Sequence, residues 1–600
     1  MYFRNLLCSV KILLLSVVFL CATETEIMPL TAVKPGMKGI WKTVISGTTI
    51  EDFDLKVLNV AHNFIGPKRS VIICEAIDSR NMLIGPVAGM SGSPVYINEK
   101  LVGAYAYGYS WPKEQAIILV TPIEDMIELI DAFPIEPPTP NNRPILKTSN
   151  FLKKRQQTEH KYNKWQFTSE NENTPDALVK SLLQPQPTPL FVSGVSEQTL
   201  NVFKAQLEYL GLHVMQAPIG NAPPDSKFKL EPGAPISAVL MNGDFNISVT
   251  GTVTYRKDDT ILAFGHPFLK HGSVNIPMAG AEIITIVQSV AQSFKLSNTG
   301  PLLGSIYQDR LTSIAGKIGP LPPLTTLSIH TRNLNGIERH FTGNLLEHPT
   351  LSPILTGIAL MESLNSTLEA GERQTFTIDG YIYIDGFTPI KYREIASGPN
   401  GAFILTTEFQ KKIGQLYDNA FVVPKVNRID LTIGISDHWE LSYLKEVRVG
   451  SRRIRAGSTI DLVLGLDHYH KEPTFHSVSI PVPKNLRSGD LLTVLIADAK
   501  EAERFDNLLD GYVSSFQDII DNLSAGRSRG AIYLKLLKDK PGLRLEGENL
   551  YGLPPSVVEQ FSSPANNIAR QSITTMTLWE IAIPLSSQFQ GQYAYPITLE

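Results

Sequence analysis

"GPVAGMSGSPVYINEKLVGAYAYGYSW", residues 85–111, decides how this chain is read. Gly85, Gly89 and Gly92, with Pro86 and Pro94, crowd around Ser91, and strand-forming residues follow at once. Glycine reaches torsions and close approaches that are closed to other residues. The stretch therefore predicts a tight turn presenting Ser91, then a hairpin turning at Asn98-Glu99-Lys100. A serine is a weak nucleophile until a base takes its proton and dipoles hold the oxyanion. The turn meets the second need, because Gly89 lets its own amide and that of Ser91 point into one small concavity. The α/β-hydrolase elbow is excluded, since Ser93 stands where Gly-x-Ser-x-Gly requires its last glycine.

The flanks are β-rich. "FDLKVLNVAHNF" and "RSVIICEAI" carry short β-branched runs, while "TPIEDMIELIDAF" has helical spacing, with Ile123, Met126, Ile127 and Ile130 on one face. From 134 to 189 proline and charge dominate, as in a linker or surface insertion. Residues 190–218 read as strand, helix, strand, ending the helix at Gly211. A second β-rich region begins at about 232, with a hairpin at Lys257-Asp258-Asp259. Residues 350–370 contain one helical stretch, and short strands at regular spacing from 426 suggest an immunoglobulin-like sandwich.

Composition narrows the function. The chain has 600 residues, too many for one core, with 43% hydrophobic and 19% charged residues and a net charge of −4. Phosphate binding needs a basic surface, so no nucleic-acid partner is expected. Arg4 and Lys11 precede an apolar run from Ile12 to Ala22, the pattern of a cleaved signal peptide. The run is too short for a membrane span, so export without a lasting anchor is expected, to periplasm, envelope or medium. Of three cysteines, Cys8 and Cys21 fall in that segment, which leaves Cys74 without a disulfide partner. No HExxH pairing occurs, and no metal or other cofactor is expected.

A base must accompany Ser91. His266, in "ILAFGHPFL", ends an apolar strand between Gly265 and Pro267 and is held at a strand-to-turn edge. General base work needs such a fixed imidazole, although the same setting suits a structural histidine. Tyr105, Tyr107, Tyr109 and Trp111 alternate along one strand. They line either a substrate groove or one face of a half-buried strand.

The serine stretch is similar to the chymotrypsin-type Gly-Asp-Ser-Gly-Gly-Pro with its following hairpin. Met90 replaces the aspartate that pairs with a newly cut N-terminus, so that activation route is absent. "GMSGSPVYINEKLVGA" and the upstream "GMKGIWKTVISGTTIEDFDLKVLNV" resemble the serine-bearing half of the SpoIVB-type peptidases. "GTVTYRKDDTILAFGHPF" resembles the histidine-bearing half, and "QDRLTSIAGKIGP" an Asp-Arg segment of it. The halves stand in swapped chain order, which a triad tolerates because geometry defines it.

The resemblance implies a mainly β fold. A two-lobed chymotrypsin-like β-barrel peptidase region would be followed by the C-terminal immunoglobulin-like sandwich, with a few helices. The expected divisions are a signal peptide (1–22), a serine lobe (29–133), the Pro-rich segment (134–189), a histidine lobe (190–345), a connector (346–425) and the C-terminal region (426–600). Ser91 would be the nucleophile, His266 the base, Gly89 and Ser91 the oxyanion hole, and Tyr105 and Tyr107 substrate contacts. Asp78 or Asp309 would orient the imidazole, or the site would run as a dyad. The substrate would be a protein or peptide. Two rivals remain: a non-catalytic scaffold that keeps the fold, and a peptidase acting only on its own segment 134–189.

Overall fold

The computed structural model describes residues 25–80, 87–108, 116–137, 188–216, 220, 222, 226–288, 293–367, 373–450, 454–506, 513, 515–545, 548–562 and 570–600. The signal-peptide segment, most of the Pro-rich segment, Tyr109 and Trp111 lie outside the described residues.

Alternation builds the first barrel. In β2 (Ile50–Gly66), Phe53, Leu55 and Val57 are buried while Asp54 and Lys56 are exposed, the period of a strand with one covered face. With β1 (Lys38–Val44), β3 (Arg69–Ala76), β5 (Ser93–Ile97), β6 (Lys100–Gly108) and β7 (Ile117–Pro122), it closes in the order β1-β2-β3-β7-β6-β5. Trp41, Phe53, Cys74, Val95 and Ile118 fill the interior, with Trp41 stacked on Phe53 at 5.2 Å. The hairpin β5–β6 pairs Ile97 with Lys100. Asn98 and Glu99 between them have φ of 50° and 65°, as a two-residue loop matched to strand twist requires. β4 (Val87–Ala88), just before the serine turn, leaves the barrel and pairs in parallel with a strand of the next region.

That region opens with β8 (Thr188–Ser193), the helix Glu197–Tyr209 and β9 (Leu212–Gln216). Next come β10 (Pro235–Gly243), β11 (Asn246–Lys257), β12 (Thr260–Ala263), β13 (Gly272–Val287), β14 (Ser293–Arg310) and β15 (Ser313–Ile318). They pair in the order β10-β13-β14-β15-β12-β11, and the pairing of β11 with β10 closes the circuit. A second six-stranded ring thus stands beside the first, in keeping with the two-lobed expectation. The helix Ile123–Ala132 fills the seam: its Ile123, Met126 and Leu129 pack with Leu101 and Ala104 of the first ring and Tyr255, Leu262 and Tyr307 of the second.

Beyond β10 the sheet continues through β16 (Leu324–Asn333), β17 (Glu338–Leu346), β18 (Thr375–Ile384), β19 (Ile390–Ser397) and β20 (Val426–Ser436). The helices Leu351–Thr367 and Gly401–Tyr417 share its core. The sequence reading assigns β20 to the C-terminal region, yet it inserts between β16 and β18, parallel to β16. Its buried Ile429, Leu431 and Ile433 alternate as they would in any half-covered sheet, so the pattern does not select the partner.

The C-terminal strands form two sheets. One comprises β21 (Leu441–Val449), β22 (Thr459–His468), β23 (Lys471–Pro481) and β28 (Gln588–Gln590). The other comprises β24 (Leu491–Ala497), β25 (Ala531–Leu545), β26 (Glu548–Tyr551), β27 (Arg570–Pro584) and β29 (Gln592–Thr598). Leu462 and Leu464 of the first meet Val494, Ile496 and Leu534 of the second in one core. The layering is that of a sandwich, but β21 and β28 run parallel, unlike the antiparallel pairs of an immunoglobulin-like one.

Candidate active site

The serine turn is held by close approaches that only glycine permits. Gly89 and Gly92 have φ of 94° and 97°. A Cβ on Gly92 would lie 2.0 Å from the Thr252 carbonyl oxygen and 2.5 Å from the Phe264 nitrogen. The amides of Met90, Gly92 and Ser93 donate to the carbonyls of Val87, Tyr105 and Met90, whereas those of Gly89 and Ser91 donate to none of the turn's own carbonyls. Met90 is buried in the barrel core, which is why an apolar side chain fits there. Ser91 Oγ donates a long bond of 3.5 Å to the Ala106 carbonyl on β6.

β11 clasps the same turn from the second ring. Thr252 N–H donates to the Ser91 carbonyl at 2.8 Å, and its hydroxyl donates to the Gly89 carbonyl at 2.9 Å. The hydroxyl of Thr254 donates to the Gly92 carbonyl at 2.6 Å. Neither threonine stands out in the alternating "GTVTY", so the sequence reading missed them. The only signal was a strand whose inward positions are hydroxyls.

The segment that carries His266 also packs on β6. Phe264 and Gly265, at φ 72° and 69°, reverse the chain after β12, and an aromatic residue in that region marks stored strain. Thr121 Oγ1 donates to the Gly265 carbonyl at 2.7 Å. A Cβ on Gly265 would lie 2.9 Å from Ala104 Cβ and 3.2 Å from Ala106 Cβ. The Tyr107 ring lies 5.8 Å from the imidazole. Ser91 and His266 are therefore both fastened to Ala106–Tyr107 of β6. Among the described residues no hydrogen bond joins their side chains.

His266 is buried, at 8% exposed, and Nδ1 lies 2.8 Å from the Pro267 carbonyl. A carbonyl only accepts, so Nδ1 carries the proton and Nε2 a free lone pair. Burial holds the ring's pKa below the ordinary histidine value, with the Pro267 bond opposing and Lys270 adding to the effect. The ring is thus neutral at pH 7.

Neither candidate acid makes a hydrogen bond to this ring. Asp78 is bound by Arg80, whose hydrogen bond holds its carboxyl below the usual range. Asp309, fully buried, accepts the amides of Phe268 at 2.7 Å and Leu269 at 2.6 Å. It braces the loop that carries His266 instead of touching the imidazole. Burial raises its pKa, and the backbone amides of that loop work against the shift. Tyr105 is buried edge-on to Trp41 in the barrel core, so only Tyr107 reaches the histidine. A register shift between Tyr105 and Tyr107 breaks the simple alternation.

Burial pushes the Cys74 thiol up to about 12, so it is an inert core residue. Among the described residues no group of three or more metal-binding side chains gathers, and no helix is long and apolar enough to cross a membrane.

No curated protein and no solved structure matches the chain. His266 and Thr252 lie beyond the part that a family model covers. That part, residues 19–110 with the first six strands and Ser91, matches the SpoIVB peptidase S55 family, and over it the chain is SpoIVB-peptidase-like.

Proposed function

We propose that this protein is an exported serine endopeptidase of SpoIVB type, with Ser91 as nucleophile and His266 as general base. The observation that carries the reading is the shared footing of both residues on Ala106–Tyr107, one from each ring. Ser91 Oγ attacks the substrate carbonyl and passes its proton to His266 Nε2. The amides of Gly89 and Ser91 receive the oxyanion. The protonated imidazole then gives its proton to the leaving amine, and water cleaves the acyl-serine by the same route reversed.

In this reading the Pro267 carbonyl performs the orienting task of a triad acid: it fixes the tautomer and stabilises the imidazolium. Asp309 acts one step further out, holding the loop. Tyr107, with its phenol pushed up to about 12 by burial, offers a neutral wall beside the base. The chemistry requires no metal or other cofactor, and the substrate is a protein or peptide. An apolar N-terminal segment that ends near Ala22 supports export.

The test is covalent labelling of the full chain by a fluorophosphonate. Wild type labels, Ser91→Ala does not, and His266→Ala labels about 10²–10⁴-fold more slowly. A scaffold without chemistry is favoured by the bond from Ser91 Oγ to a carbonyl instead of to His266. On that reading wild type and Ser91→Ala label alike.

A further inference from the structure

The second ring presents a polar face to the serine turn. Alternate positions of β14 (Ser293, Lys295, Ser297, Thr299) are buried, as are Ser248, Thr250, Thr252 and Thr254 of β11. Ser248 bonds Thr299 at 3.1 Å, and Thr250 bonds Ser297 at 2.8 Å. Lys295 and Thr252 make the next rung, at 3.4 Å. A buried hydroxyl must be paired or it costs stability, so hydroxyl opposite hydroxyl needs no special account. A lysine on the rung nearest the serine turn does.

Lys295 is 0% exposed, and among the described residues no carboxylate forms an ion pair with it. Its Nζ donates to Thr43 Oγ1 of β1 at 2.7 Å and to Thr252 Oγ1. The Thr252 hydroxyl spends its own proton on the Gly89 carbonyl, so toward the amine it only accepts. Two acceptors match the two N–H donors of a neutral amine. Burial pushes the amine down to about 7, consistent with that state. The stem matters too: a Cβ on Gly89 would lie 3.1 Å from Lys295 Cβ. The residues just before Lys295 pair with β4, which leads into the turn. One side chain thus joins the first ring, the second ring and Gly89.

We propose that Lys295 is a positioning residue for the serine turn, holding Gly89 through the Thr252 hydroxyl and through its own stem. The link to catalysis rests on the reading of Ser91 as nucleophile; the hold on the turn does not. Without the amine, Thr252 loses its donor and is free to turn its hydroxyl away from Gly89. The Gly89 and Ser91 amides then lose their fixed direction toward an oxyanion.

The test compares wild type, Lys295→Met, Thr252→Val and Thr252→Ser in the full chain, by amide hydrogen exchange of the segment 87–93 and by the kinetics of fluorophosphonate labelling. Thr252→Val is nearly isosteric and retains the fold if Lys295→Met does not. In Lys295→Met and Thr252→Val, exchange of the segment rises about tenfold or more. Their maximal labelling rate falls about tenfold while the half-saturating probe concentration stays within about twofold. Thr252→Ser restores both. If exchange in 87–93 stays within about twofold of wild type in both variants, the proposal is overturned, whatever the labelling does. If exchange rises but wild type labels no faster than Ser91→Ala, Lys295 still holds the turn and it is the nucleophile reading that falls.

Discussion

The two rings have the same strand count and each buries an apolar core, but they differ in what they set against the serine turn. The first holds Trp41, Phe53, Val95 and Ile118 in contact beneath the turn's strand, while the second sets hydroxyls and one amine against the turn itself. Dispersion and the hydrophobic effect are non-directional, so an apolar barrel holds its shape without dictating where one peptide group points. Hydrogen bonds are directional. The first ring supplies a rigid frame for Ser91, and the second supplies the aim.

Substitutions that damage one ring and spare the other test this division. Trp41→Ala removes the largest fully buried side chain of the first ring and costs about 3–5 kcal/mol. Thr250→Val in the second leaves Ser237 and Ser297 to re-pair and costs about 1–2 kcal/mol. Chemical denaturation reads both, and equal costs would dissolve the comparison.

The amine gives the second ring a pH signature near neutrality. Its folded pKa, about 7, lies below its unfolded value, so between the two the unfolded chain binds more protons and stability rises with pH. Below pH 7 both states are protonated and the full penalty of burying the charge is present. The stability of wild type minus that of Lys295→Met should therefore rise between pH 7 and 9, by on the order of 2 kcal/mol. A flat difference would mean the amine titrates at its ordinary value.

Smaller effects separate the two acids. Asp309→Asn keeps the shape of the carboxyl but replaces one acceptor oxygen with a donor facing the amides of Phe268 and Leu269. It slows labelling about tenfold or more by loosening the His266 loop. Asp78→Asn breaks a pair with the exposed Arg80 and changes labelling by about twofold at most. The reverse order would return Asp78 to the site.

Much of the site was legible in the chain. Crowded glycines around Ser91 imply the turn, because left-handed torsions are unfavourable for most other residues, and Gly265 with Pro267 marks an edge for His266. The two-residue hairpin at Asn98-Glu99 and the helix from Ile123 follow from local pattern alone. Tyr105 was misread as a groove residue because a single register shift in β6 alters which face a side chain takes. The assignment of β20 failed because alternation records that a face is buried, not against what.

Local torsion and period, then, are properties of the sequence by itself: they determined a serine on a glycine-rich turn and a histidine at a strand's end. Only the tertiary structure decided that Asp309 braces a loop, that a backbone carbonyl orients the imidazole, and that Lys295 reaches Gly89. The first and last of those contacts join segments far apart along the chain, and the second depends on the torsions of the loop that carries His266. A hydrogen bond depends on distance and direction, which residue order does not carry.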